Sequence, residues 1–292
     1  KKCIDLKKFE QDLEYISSMS HQPGTIGNQL ITNYIHDSFS NNGIKNLGVH
    51  EYDSYLNYPS GDTKMFYYDD MNEKIEIDLN YNNFNPMSIN GTIEKTNLYF
   101  ANLGREKDYQ KLKDVKLDEI AVLLKYDDKI VSEQILIAQK HKIKAVVFVS
   151  NDGILHELKK KLVKSPSVQK EYDYLYTHFN SCIQNIPASI PQYGFGDPLT
   201  PGAGSDAAND ATHREKLSDS KMVPKILTIP VSIDQIRPFY DHLVSDKKNH
   251  VMIDLTVKLE SFVKHPTMSV MAKIEGKEQN NKAIVIACAR DS

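Results

Sequence analysis

The spacing of apolar residues changes several times along the chain, and each change predicts an element. Over residues 5–18, Leu6, Phe9, Leu13 and Ile16 recur at helical spacing and predict an amphipathic helix. Ser20-His21-Gln22-Pro23-Gly24-Thr25 breaks it. A second helix is expected over residues 27–41, with Leu30, Ile31, Tyr34, Ile35 and Phe39 on one face and Asn42-Gly43 closing it. A strand follows near 47–52, then a turn at Tyr58-Pro59-Ser60-Gly61-Asp62.

From residue 63 the period shortens. Segments 65–68, 75–79 and 93–100 read as strands separated by Asn-rich turns. A strand–helix–strand unit comes next. Residues 120–126 form a strand, 131–141 a helix with Val131, Ile135 and Ala138 inward, and 145–150 a buried strand parallel to the first. Residues 151–181 are polar and expected to be partly helical. A Pro/Gly-rich loop runs to Gly202, and 203–221 has so little apolar content that a surface loop is predicted. Order returns at 226–230. Ser232 and Gln235 form a capping box for a short helix that Pro238 should kink. Strands at 251–259, 268–274 and 283–287 complete the pattern. The reading is an α/β chain in which residues 1–56 and 263–292 belong to one domain, interrupted by a β-rich domain at 57–262 that carries the strand–helix–strand unit.

Composition narrows the function classes. With 292 residues, 40% hydrophobic and 26% charged, the chain has the make-up of a folded protein of about two domains. A net charge of −3 gives no pull toward nucleic acid or anionic lipid, and Lys159-Lys160-Lys161 reads as the wet side of a helix. Three cysteines do not describe a disulfide scaffold, and no zinc-finger spacing exists. No stretch is apolar enough to span a bilayer, and there is no signal peptide. Both ends are abrupt, as the limits of a fragment would be. The sequon Asn90-Gly91-Thr92 makes Asn90 a glycosylation candidate and suggests a lumenal setting.

The candidate chemistry lies at the end. The apolar run Ile284-Val285-Ile286 delivers the chain to Arg290-Asp291-Ser292, and strand ends of this kind are where α/β proteins place reactive groups. Zinc hydrolases often set a His two residues before such an Asp. Here that residue is Ala289.

Four phrases together carry a resemblance: HQPGT at 21–25 followed by Tyr52 and Leu56-Asn57-Tyr58-Pro59; YFANLGR at 99–105 with Asp108-Tyr109; GDPLTPG at 196–202 followed by Ile229-Pro230-Val231-Ser232; and the terminal Arg290-Asp291-Ser292. In this order they cover nearly the whole chain and resemble the ectodomains of the transferrin receptor and glutamate carboxypeptidase II family, which belongs with the M28 zinc peptidases. The resemblance implies an M28-peptidase-like α/β domain, present in part, interrupted by a protease-associated domain. It also implies a membrane-spanning helix outside this chain and a homodimer in the full-length protein.

Active members of that family hold two zinc ions, the first through a His in the phrase that here reads Ala289-Arg290-Asp291-Ser292. Asp291 is kept, but a methyl group cannot coordinate a metal. The resemblance therefore implies a degenerate metal site at Ala289 and Asp291, no catalytic residue and no zinc. Two residues could substitute for the missing ligand. His265 lies nearby in sequence, and Cys288 adjoins the ligand position but should face away on a strand. Arg105 matches the position at which glutamate-binding members grip a carboxylate, although a surface Arg before a helix explains it more simply. Thr200 matches a structural-calcium position, with Ala203 where the enzymes hold a Tyr.

The expected function is that of a non-catalytic receptor or adaptor ectodomain, close to the fungal transferrin-receptor-like proteins. It would be membrane-anchored and extracytoplasmic on the endosome, vacuole or Golgi route. Its partners would be proteins: membrane cargo, sorting components or ubiquitin-ligase machinery. Two alternatives stand beside it. One is an active zinc carboxypeptidase or aminopeptidase with altered ligands. The other is a protein whose protease-associated domain alone binds partners.

Overall fold

A computed structural model describes residues 5–81, 83–127, 129–149, 197–200, 214–277 and 282–288. The chain divides into two compact units. One comprises Lys1–Leu56, Gly194–Lys216 and Phe262–Ser292, and the other Asn57–Tyr193 and Leu217–Ser261. The segment Gly194–Lys216 thus groups with the first unit rather than with the β-rich middle.

The second unit is built on a seven-stranded sheet. Its strands are β2 (Lys64–Tyr68), β3 (Lys74–Ile77), β4 (Gly91–Phe100), β5 (Ala121–Lys125), β6 (Ala145–Val149), β7 (Leu227–Pro230) and β8 (His250–Val257), in the order β3-β2-β8-β4-β5-β6-β7. The first three neighbour pairs are antiparallel and the last three parallel. Parallel strands covered on both faces need apolar residues at every position, and β5 and β6 show it. Leu123 and Val147 pack on one face, Val122, Leu124, Val146 and Phe148 on the other. The helix α4 (Val131–Lys140) covers the second face with Val131, Ile135 and Ala138, the inward positions read from the sequence. The helix α5 (Arg237–Ser245) covers the first with Phe239, Tyr240 and Leu243. The short helix α3 (Glu106–Tyr109) follows β4.

The two bonds of the expected capping box form, but around the turn at 233–236 that precedes the helix, whose own N-cap is Ile236. The Ser232 amide donates to Gln235 Oε1 at 2.9 Å, and the Gln235 amide donates to Ser232 Oγ at 3.1 Å. Pro238 does not kink the helix. It sits in the first turn of α5, where its missing N–H has no intrahelical partner to lose.

The first unit holds α1 (Leu6–Ser17) and α2 (Ile26–Asn41) with most of a two-stranded sheet of β1 (Asn46–Pro59) and β9 (Leu259–Lys273), whose ends at 57–59 and 259–261 belong to the second unit. Both strands run longer than the sequence pattern predicts. Asp5 caps α1 by accepting from the Lys7 and Lys8 amides, and Thr25 caps α2 by accepting from Asn28. Gly43, at φ +83°, ends α2 in the left-handed region that favours glycine.

Burial here departs from the amphipathic expectation. Leu6, Phe9 and Leu13 are 68%, 59% and 56% exposed, and no residue of α1 is buried. The strand expected at 283–287 does not form: residues 282–288 carry no regular structure, and Ile284 and Ile286 are more than 90% exposed. A strand needs a neighbour for its backbone groups, and none pairs with this run among the described residues.

Of the surface loop expected at 203–221, residues 201–213 lie outside the described set; 214–221 is irregular and mostly exposed, with the Arg214 side chain and Ser220 turned inward. The predicted helical segment at 151–181, with Lys159-Lys160-Lys161, also lies outside the described residues.

Candidate functional site

The sequence-predicted site residues fall in separate places. Ala289 and Asp291 lie outside the described residues. Of the two rescues, His265 lies in β9 with its ring edge-on to Phe262 at 4.9 Å, and Cys288 is exposed. Zinc demands lone pairs from imidazole, thiolate or carboxylate. At the position that the resemblance makes the first zinc ligand, the methyl side chain of Ala289 offers none. Among the described residues, no three His, Cys, Asp or Glu side chains converge as a metal site would require.

In the first unit, the GDPLTPG phrase is organised by Asp197, which the sequence reading passed over. Its carboxylate accepts from the Leu199 amide at 3.0 Å and from the Tyr55 amide of β1. Arg214 lies 3.2 Å from Asp197 Oδ2, and the two side chains are 11% and 3% exposed. The same guanidinium donates through Nε to the Val263 carbonyl of β9 at 3.1 Å and through Nη1 to the Asp53 carbonyl of β1 at 3.4 Å. One buried ion pair therefore ties both strands of the small sheet to the loop that carries Thr200. Lys264 and Asp53 add an outer ion pair at 3.0 Å.

Thr200 is itself 4% exposed, and its amide closes a turn onto the Asp197 carbonyl at 2.9 Å. Calcium takes roughly six to eight oxygens. With the Asp197 carboxylate engaged by two amides and a guanidinium, the described residues around Thr200 do not by themselves make a calcium site.

In the second unit, Arg105 follows β4 on a loop whose shape is fixed by sequence. Asn102 and Gly104 have φ of 49° and 61°, and a Cβ at Gly104 would lie 2.8 Å from Leu124 Cδ1. Gln134 of α4 holds the loop from beneath, donating to the Leu103 carbonyl at 3.0 Å and to the Lys125 carbonyl at 2.8 Å. Arg105 then caps α3. Its amide donates to Asp108 Oδ2 at 3.2 Å, and its carbonyl accepts from the Asp108 amide at 2.8 Å. The backbone role accounts for the residue's place at a helix start.

Beside it, Glu106 bridges Lys140 and His141, with His141 Nε2 at 2.9 Å. The bonds to Lys140 and His141 hold the Glu106 carboxyl below its usual range. Tyr109 packs against the His141 ring at 4.8 Å, and burial, with Asp108 and Glu106 nearby, pushes its phenol well above the usual range. These groups brace α3 against α4. They do not assemble a nucleophile with a base.

Asn90 sits where β4 begins, its side chain bonded to the first residue of β9. It lines an open groove of about 530 Å³ with Ser60, Asp62, Thr92, Thr256 and Glu260.

Comparison with known proteins places this geometry. No family model matches the chain. Along its whole length it is 37% identical to the Saccharomyces cerevisiae protein "Putative zinc metalloprotease TRE2" and 36% identical to "Uncharacterized protein TRE1" of the same yeast. It is 22% identical to a Schizosaccharomyces pombe protein named as an inactive zinc metalloprotease. The chain spans 35% of the length of the two S. cerevisiae proteins and 40% of the third. Among solved structures, an aminopeptidase from Aneurinibacillus superposes with a TM-score of 0.50 at 13% identity, covering 96% of this chain and 50% of that one. That likeness concerns the fold.

Proposed function

We propose that this chain, which is M28 peptidase-like in kinship and fold, is the scaffold of a peptidase that no longer performs hydrolysis. The observation that carries the reading is the side chain at Ala289. Metal-activated water is the nucleophile in such hydrolases, and each lost ligand weakens the ion that generates it. Two further facts support it: one relative is named as inactive, and two residues of the phrases that carry the resemblance serve the architecture. Asp197 of the GDPLTPG phrase clamps a loop, and Arg105 caps a helix.

The proposed role of the full-length protein is binding: a membrane-anchored, extracytoplasmic receptor or adaptor that selects membrane proteins for sorting, with ubiquitin-ligase machinery as a partner. The sequence resemblance motivates this part. The experiment replaces Asp291 by Ala in the full-length protein in its own cell and follows the turnover of membrane proteins that depend on it. A binding scaffold sorts its cargo as before, within about twofold. Loss of sorting together with loss of a measurable peptidase activity would instead support the enzyme reading.

A further inference from the structure

We infer that Asn90 is a ladder-closing amide, and that chains given a sugar there before folding lose its pairing with Leu259 and are depleted from the folded fraction. The β4–β8 ladder runs antiparallel to its last rung, Gly91 opposite Val257. Beyond that rung the backbones part, and the Asn90 side chain takes over. Its Oδ1 accepts from the Leu259 amide at 2.6 Å, and its Nδ2 donates to the Leu259 carbonyl at 3.2 Å. Both bonds go to one residue, so the carboxamide meets Leu259 as a second strand would, closing a ring of two hydrogen bonds. Neighbouring side chains secure the same corner. Ser60 and Thr63 hydroxyls donate to the Lys258 carbonyl at 2.9 and 3.1 Å, and the Lys258 amide donates to Thr63 Oγ1 at 3.1 Å.

This ring dictates which amide hydrogen is used. To bond both groups of one residue, Nδ2 must offer the hydrogen on the same side as Oδ1. N-glycosylation converts the primary amide to a secondary one. A secondary amide prefers the trans arrangement, which sets the incoming carbon on the side of Oδ1. The sugar thus replaces the hydrogen that Leu259 requires. Keeping the bond would force the cis amide, disfavoured on the order of a hundredfold. Space is not the obstacle, because the groove beside Asn90 is open. The hydroxyl of the sequon is engaged as well, with Thr92 Oγ1 3.1 Å from Thr256 Oγ1. The residue that the sequon offers for a glycan thus has a structural role of its own in the fold.

The test produces the full-length protein in a eukaryotic secretory host, isolates the folded fraction and measures occupancy at Asn90 by peptide mass spectrometry after glycan release in heavy-oxygen water. The inference expects only a minority of folded molecules to carry a sugar there. A majority carrying one overturns it. A second measurement follows amide exchange at Leu259. Asn90→Ala should speed exchange roughly tenfold or more, and Asn90→Asp, which keeps only the acceptor, should give an intermediate rate. If Asn90→Ala does not fold, Asn90→Asp alone decides, and an unchanged Leu259 rate refutes the clamp.

Discussion

The two units answer the same kind of sequence pattern in opposite ways. In the second, each apolar stripe found cover: Leu123, Val147 and Phe148 are 0% exposed, and α4 and α5 seal the two faces of the sheet. In the first, an equally clear stripe on α1 stays open, and Ile284-Val285-Ile286 stands in solvent. Periodicity states what an element would bury, while burial itself depends on a partner surface. The first unit does bury Ile31, Tyr55 and Leu199, and the Asp197–Arg214 ion pair ties both strands of its small sheet to the 197–200 loop.

The contrast can be broken by substitution. The largest effects belong to the sheet core. Phe148→Ala should cost about 3–5 kcal/mol in chemical denaturation, because it leaves a cavity between sheet and α4. In the first unit Arg214→Ala should cost a similar ~3–5 kcal/mol, since it strands the Asp197 carboxylate in a buried position. Limited proteolysis should then cut the 197–216 region first. A smaller loss, about 1 kcal/mol, is expected for Ser232→Ala, which removes one arm of the capping box.

Acid should act on the second unit through Asp254. Burial would raise its carboxyl, but Lys74, the Lys95 amide and Tyr68 together hold it below the usual value. A depressed folded value gives stability that is present above the unfolded pKa of about 3.9 and lost as pH falls through the folded one. Asp254→Asn should flatten that acid limb of a stability–pH curve. Phe9→Ser should change least, within ~0.5 kcal/mol, because that ring is already largely in water. A loss of several kcal/mol there would show that α1 is covered in solution.

Much of the second unit was legible because its signals are local. The inward face of α4, the parallel β5–β6 pair and the capping box follow from spacing within a few residues. The kink expected at Pro238 depends on where the helix starts, and the structure starts it at Arg237, later than a cap at Ser232 implies, so that Pro238 falls in the first turn. The strand expected at 283–287 does not form, since apolar content alone supplies no pairing partner. Among the candidate site residues, Arg105 could be placed before a helix from sequence. The Asp197–Arg214 pair could not, because its partners are far apart in the chain and Arg214 sits in a stretch with almost no apolar residues. The Asp in GDPLTPG was the available signal: a carboxylate in a Pro/Gly turn often serves backbone amides.

The central claim concerns the metal, and elemental analysis of the full-length protein purified without chelator tests it most directly. With Ala289 at the first ligand position, the account predicts well under one tightly held zinc per chain and no peptide turnover. Two zinc ions per chain with hydrolysis of an aminopeptidase or carboxypeptidase substrate would contradict it.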